Sequence, residues 1–331
     1  MKNRLIAGHS GNGGKVGLLD GIFDVFGAGA RRTAAAAVLV GCLLLVFLAS
    51  GCSRKESSVG TACNPLIVLL SPAHAPSSEA ARLFVEKHLS SKSGMKVKVQ
   101  VAKDPADAIK RFITGVADVG ILTNDEYLIA RQEGGALADL QVLRRDARNE
   151  YRAALLVRDD SGIAAFPGLA GKKVAFSDQY SFSGFLLPSM MFNRAGIKVE
   201  PVFTGGHAAS AKALLDKSVA AAATYEGMAS VHPELMVLEV TGTVPNEPVV
   251  SRPELAPGKR QAILTAFLSL TDTAEGKQAL AAIADITGFR TASDDIYRSI
   301  HELVLGQDKS IYDMVPEGWL IQRIDQPYVM R

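Results

Sequence analysis

The feature that most constrains this chain is an alternation of short apolar runs with helical periodicity, broken once and then resumed. The run 64–70 reads as a strand, and 77–89 repeats apolar residues at helical spacing through Ala80, Ala81, Phe84, Val85 and Leu89. The run 97–101 alternates as a strand does, 105–113 reads as a helix, 117–122 as a buried strand and 125–132 as another helix. Two more strands are expected at 137–143 and 151–157. Strands separated by helices of about 10–15 residues build βαβ units and a parallel sheet. After a break at 158–167 a second series begins: strand 173–176, helix 185–195, strand 199–203, helix 207–215, then strands 219–224 and 235–240. A short extended piece falls near Val249-Val250, and from Pro257 onward the pattern is helical alone, at 259–270, 274–283 and 293–305. A tail without strands cannot make a domain, so it is expected to pack back on the first unit.

The expected fold class is therefore α/β, with two lobes, each a mainly parallel sheet flanked by helices. Lobe one would comprise 64–157 plus 250–331 and lobe two 158–249, with the chain crossing between them twice. Ligands of open parallel sheets bind outside the carboxyl ends of the strands. Facing lobes thus place one cleft between them, and closure about the crossovers would be a hinge motion.

The N-terminus reads as an address. Arg31-Arg32 precede an apolar run at 34–49, shorter than the roughly 20 residues of a membrane span and close to a secretory h-region. The run ends in Leu48-Ala49-Ser50-Gly51-Cys52, which resembles the lipobox of bacterial lipoproteins, with Ala49 where Leu is usual. That resemblance implies a signal peptide at 1–51, a diacylglycerol on Cys52, a polar tether over 52–63, and a protein held by an N-terminal lipid on the periplasmic side of a membrane. The long Gly-rich stretch 1–30 carries no fold signal, and a translation start further downstream would account for it.

Composition narrows the function classes. With 48% hydrophobic and 21% charged residues the chain is an ordinary globular one. Its net charge of +2 comes from the first 51 residues, where five basic residues face two acids, leaving 31 basic against 32 acidic in the remainder. Nothing there would release counterions from a phosphate backbone, so nucleic acid is not expected as a partner. Of three cysteines, Cys42 lies in the h-region, Cys52 would be lipidated, and Cys63 is the single thiol left, so no internal disulfide is available. No metal-ligand spacing, no phosphate loop and no Gly-x-Ser-x-Gly elbow occurs. Neither catalysis nor a cofactor or metal is expected.

The segment from Gly168 to Gly184 is the most informative. A strand ends at Phe176, a polar loop follows, and Ser181-Phe182-Ser183-Gly184 opens a helix. Helix N-termini present free amides and a partial positive charge, which suits an oxyanion, although serines there also serve as plain caps. Further polar turns follow the next strands: Thr204-Gly205-Gly206-His207, Thr224-Tyr225-Glu226-Gly227, and Thr241 to Pro248 with Asn246-Glu247 inside it. In order and wording these resemble the phosphonate, phosphite and phosphate binding proteins of ABC importers, over essentially the whole mature chain.

The resemblance implies a two-lobed, periplasmic-binding-protein type II fold and an extracytoplasmic, monomeric receptor. It would hand a small phosphorus oxyanion to a partner permease and its ATPase. It also implies a contact set. Ser181, Ser183 and the Gly184 amide would cradle the oxyanion, with Phe182 standing where the family has Thr. His207 would donate to it, Glu226 and Glu247 would face its protonated edge, and Tyr225, Thr123 and Asn124 would line the cleft. The lobe-one loop departs from the family, reading Leu122-Thr123-Asn124-Asp125-Glu126-Tyr127 in place of a Gly-Pro segment.

A carboxylate about 4 Å from an anion costs around 4 kcal/mol at an effective dielectric of 20. Two such acids therefore favour a ligand that brings a proton or an ammonium, and so phosphorus over sulfur. A sulfonate receptor, a lipoprotein sensor or assembly factor on the same fold, and a Ser-dependent hydrolase are the competing readings.

Overall fold

A computed structural model describes residues 56–145, 147–307 and 309–321. The signal peptide, Cys52 and the first tether residues lie outside them. Among the described residues no helix is long and apolar enough to cross a membrane.

Two sheets carry the fold. The first is six-stranded in the order β2-β1-β3-β10-β4-β11, built from β1 (Leu66–Leu70), β2 (Val97–Val101), β3 (Val119–Ile121), β4 (Leu137–Arg144), β10 (Pro248–Ser251) and β11 (Ile286–Thr291). The second is five-stranded in the order β7-β6-β8-β5-β9, from β5 (Glu150–Arg158), β6 (Lys173–Phe176), β7 (Glu200–Phe203), β8 (Ala221–Tyr225) and β9 (Leu235–Pro245). In each, one strand is parallel to a neighbour on either side, β1 to β2 and β3, and β6 to β7 and β8. In each, an antiparallel strand, β10 or β5, is inserted next to that set. The two lobes thus repeat one topology. β1 is buried at all five positions, the signature of a strand covered on both faces.

Helices lie where the 3.6-residue periodicity puts them: Glu79–Ser93, Pro105–Ile113 and Asn124–Gly134 in lobe one, Leu187–Arg194 and His207–Leu215 in lobe two. Separate apolar clusters pack on the sheets. One gathers Leu66, Val68, Val97, Val119 and Phe267 in lobe one, and another Leu155, Val174, Phe176 and Phe192 in lobe two. A further cluster joins the lobes, bringing Phe182, Leu187 and Val244 together with Leu69, Tyr127 and Tyr297.

Two expectations are corrected. The tail is not helical throughout, because Ile286–Thr291 pairs antiparallel with β4. Its onset is set by Ala284 and Asp285, whose φ of 51° and 57° turn the chain out of the helix Ala274–Ala281. Gly288 and the brevity of the run hide its alternation. The strand expected at 151–157 belongs to lobe two, between β8 and β9. Periodicity identifies a strand but not the sheet that it joins. The boundaries expected at 157/158 and 249/250 therefore move to the crossovers 145–149 and 246–247.

Buried polar bonds staple these crossovers together. The Asn246 side-chain amide donates to the carbonyls of Val142 (3.1 Å) and Arg148 (2.9 Å), and its backbone N–H to Asn149 (2.8 Å). The Gln141 amide donates to the Asn149 carbonyl at 2.8 Å, and the Tyr297 hydroxyl to the Asn246 carbonyl at 3.1 Å. The C-terminal helix Asp295–Leu305 packs back on lobe one through Tyr297 and Tyr127. It also reaches lobe two, where Leu303 shares a pocket with Met190 and Thr241.

Candidate functional site

The turn after β6 is shaped by its own side chains. Asp178 Oδ1 accepts from the amides of Tyr180 and Ser181 at 2.8 and 2.9 Å, and Ser181 Oγ accepts from the Gly184 amide at 2.9 Å. The backbone then makes a π-turn over Phe182–Leu186 before the helix Leu187–Arg194. Pro188 has no N–H to give to the Gly184 carbonyl four residues back, and that carbonyl accepts instead from Ser177 at 3.2 Å. Gly184 lies against the strand end so closely that a Cβ would stand 1.8 Å from Ser177 Oγ. Gly184→Ala is accordingly expected to destabilise the protein by about 1–3 kcal/mol in denaturant unfolding. An unchanged midpoint would show that the turn can back away from Ser177.

The turn therefore differs from the cradle expected of it. The Gly184 amide is already taken by Ser181, and Ser181 acts as the cap. Phe182 turns its ring into the apolar cluster between the lobes. What remains is the Ser183 hydroxyl, which is 1% exposed and has no partner at close hydrogen-bond geometry. It lies beside the phenol of Tyr151 on β5.

His207 starts its helix after Gly205, whose φ of 88° favours glycine. Its Nδ1 lies 3.0 Å from the Thr224 hydroxyl, and its ring meets Tyr225 edge-on at 5.3 Å. Burial lowers its pKa, against the charge of Asp178, which favours the neutral imidazole. In the tautomer in which Thr224 donates to Nδ1, the ring carries its proton on Nε2.

A cavity of about 470 Å³ opens beside these residues, walled by His207, Tyr225, Glu226, Glu247, Tyr151 and Arg144 among others. Four expected contacts are thus brought together in one wall. Ser181–Gly184, Thr123 and Asn124 do not line it; Tyr151 stands between the cavity and Ser183. Thr123 caps its helix and turns its hydroxyl to the carboxyls of Asp125 and Glu126, and Asn124 spans the lobes by donating to the Pro245 carbonyl at 2.9 Å while its Oδ1 stays unpaired. Unpaired buried polar atoms are rare in native proteins and call for a partner.

The two glutamates expected to face a ligand proton are both engaged elsewhere. Glu226 is forked by Arg152, with Nε donating to Oε2 at 2.7 Å. Glu247 is paired with Arg144 and lies 3.8 Å from His74 Nε2. Its burial would raise its pKa, but hydrogen bonding to His74 and the charges of Arg144 and His74 hold it down to about 2.

Residues given no role from the sequence complete the site. Asp125, one residue into the helix after β3, is pushed up by burial and then by the charges of Asp178 and Glu247, against hydrogen bonds from its own backbone and Thr123. Solvent still touches its edge. Glu126 beneath it is buried and pushed the same way, although it accepts from the Ser71 hydroxyl (2.8 Å) and the Thr123 amide (2.9 Å). Asp125 and Asp178 stand in polar turns visible in the sequence. His74, Arg144 and Tyr151 gave no such signal, because their place depends on how the crossovers bring the lobes together.

Two facing α/β lobes joined by paired crossovers, with a polar cavity at their junction, are the architecture of a type II periplasmic binding protein. A family model for the periplasmic substrate-binding protein of ABC phosphonate transporters matches residues 69–297, and the chain belongs to that family, one of binding proteins and not of enzymes. A phosphate-import protein, PhnD, of Mycolicibacterium smegmatis is 27% identical over 211 residues, 58% of this chain and 65% of that protein. A phosphonates-binding periplasmic protein of Escherichia coli is 26% identical over 273 residues, 72% of this chain and 80% of its own length. The structure of PhnD1 from Prochlorococcus marinus in complex with methylphosphonate superposes with a TM-score of 0.58 at 19% identity, covering 74% of this chain and 98% of that one.

Proposed function

We propose that this chain binds a small phosphorus oxyanion (a phosphonate, phosphite or phosphate) between its lobes. It would deliver that ligand to an ABC permease and ATPase as a monomeric, extracytoplasmic lipoprotein anchored through Cys52. The observation that carries this reading is the buried Ser183 hydroxyl beyond the carboxyl end of β6, with only the Tyr151 phenol beside it, and His207 presenting an imidazole from the neighbouring turn. Both groups donate to an oxyanion without bringing a formal charge. The family and the printed ligands of its relatives, phosphate for one and methylphosphonate for another, support the ligand class.

A hydrogen bond to a charged group nets about 1.5–3 kcal/mol, which is roughly a tenfold or greater change in affinity. Ser183→Ala and His207→Ala are each expected to weaken binding of methylphosphonate, phosphite or phosphate about tenfold or more in calorimetric titration. Wild-type affinity in both variants would reject this cradle.

A further inference from the structure

We propose that the face of lobe one around Glu56 lies against an anionic lipid surface, held there by a leash of three residues, Ser53, Arg54 and Lys55, a placement that rests on the reading of Cys52 as the lipidated residue. Of the tether expected over 52–63, the stretch from Glu56 onward is built into lobe one. The Glu56 carboxylate accepts from the Ala256 amide at 2.9 Å, at the start of the helix Pro257–Leu268, and is paired with Arg252. Arg252 is 6% exposed and is held from its other side by the fully buried Asp118, to which its Nε donates at 2.9 Å. The Lys259 ammonium donates to the carbonyls of Glu56 (2.5 Å) and Ser57 (3.3 Å).

The residues that follow continue the attachment. Val59 is 2% exposed, in the apolar cluster of Leu66, Val97 and Leu255. Gly60, with a φ of 89°, turns the chain so that its N–H donates to the Asn64 carbonyl at 2.8 Å and its carbonyl accepts from the Lys96 amide at 2.7 Å. The Asn64 side-chain amide closes the turn by donating to the Ser58 hydroxyl at 2.9 Å. From Cys52 to Glu56 the chain can therefore reach at most roughly 14 Å, whereas a free tether as far as residue 63 could reach roughly 40 Å. The longer reach is comparable with the width of a chain of this size and would let either lobe meet the lipid. The shorter one admits only the face that carries Glu56.

The chemistry of that face suits anionic headgroups. Arg54 and Lys55 belong to the leash itself. Lys96, bonded to the Gly60 turn, and Lys92 and Lys98 on either side of it in the chain are exposed, at the end of the helix Glu79–Ser93 and on the outermost strand β2. Among the described residues none of these three lysines is paired with a carboxylate. Glu254, 69% exposed and 3.8 Å from Arg252, is an acid on the same side. Basic residues are drawn to an anionic bilayer within a Debye length of about 8–10 Å, a separation that so short a leash permits. Held through lobe one, the protein leaves lobe two free to close about the crossovers.

The test is lysine acetylation read by mass spectrometry on the lipidated protein, produced from the full chain and reconstituted in vesicles of phosphatidylcholine and phosphatidylglycerol, against the same protein in detergent. Lys96 and Lys98 are expected to react about fivefold or more slowly on the vesicles, and Lys172, Lys212 and Lys217 of lobe two at an unchanged rate. A flexible Gly-Ser insertion of about twelve residues after Ser53 lengthens the leash without touching lobe one, and should reduce the lobe-one protection to about twofold or less. Protection that is absent, equal on the two lobes, or unchanged by the insertion would overturn the placement while the anchor stands. An intact mass without lipid on Cys52 would reject the anchor and the placement together. Amide hydrogen exchange at 57–64 as fast as in an unstructured peptide would overturn the attachment of this segment, and with it the short leash, whether or not lipid is present.

Discussion

Replacing Arg144 with alanine is expected to destabilise the protein by about 3 kcal/mol, near the lower end of the range for breaking a buried ion pair. Arg144 sits at the end of β4 and pairs with Glu247 at the start of β10, with side-chain exposures of 22% and 17%. Its Nε also donates to the Ala284 carbonyl at 2.8 Å, so one guanidinium ties the crossover to the loop before β11. Without it, Glu247 keeps only His74 at 3.8 Å. Arg144→Ala combined with Glu247→Gln should recover part of the loss, because the carboxylate is then no longer left uncompensated.

The pair also gives the protein an acid limb. Glu247 has its pKa lowered on folding, so its stabilisation is present above the ordinary value of 4.5 and is lost as pH falls towards about 2. Urea unfolding of wild type and both variants between pH 3 and pH 7 measures each effect. A loss below about 1 kcal/mol for Arg144→Ala at neutral pH would mean that His74 alone holds Glu247 in place.

The second large effect runs in the opposite pH direction. Asp125 and Glu126 have pKa values raised on folding by burial, Asp125 further by the charges of Asp178 and Glu247 and Glu126 by that of Asp125, so the folded state holds more protons than the unfolded chain across the weakly acid range. Their contribution is complete below the ordinary carboxylate values and is lost as pH climbs from about 4.5 towards about 8. His207 and His88 oppose this, since their lowered pKa values add stability as pH rises towards the ordinary imidazole value of 6.5, in full above it. The two acids, raised to about 7 and about 8, outweigh the two imidazoles and leave a net fall, and the ligand-free protein should melt about 5 °C lower at pH 8 than at pH 5. Asp125→Asn should flatten that slope. A melting temperature that is level or rises over this interval would show that the two carboxyls are ionised throughout in the folded protein.

The residues most readily found from the sequence are those whose position along the chain fixes their chemistry. His207 follows a glycine pair at a strand end, Ser183 opens a helix, and Tyr225 and Glu226 close β8. Strand ends of a parallel sheet converge on one edge, so such residues gather whatever the details of packing. Glu247 was visible for the same reason, but its role was not. The motif shows a carboxylate in a crossover, whereas Arg144 reaches it from a different strand, 103 positions earlier in the chain. Phe182 is the converse case. At the loss of a hydroxyl it becomes an apolar contact between lobes, a part that only the neighbouring Leu69, Tyr127 and Val244 reveal.

The amino-acid order alone determines that this chain alternates strand and helix in two series, and that hydroxyl-bearing and imidazole-bearing turns fall at strand ends. These are consequences of local periodicity and capping, which act within a few residues. Tertiary structure alone decides that β5 crosses into the second sheet, that β11 extends the first, that arginines occupy the two glutamates, and that Asp125 comes within reach of the charge of Asp178. Pairing between strands and Coulomb forces between side chains depend on distance in space, and neither is written in the spacing of residues along the chain.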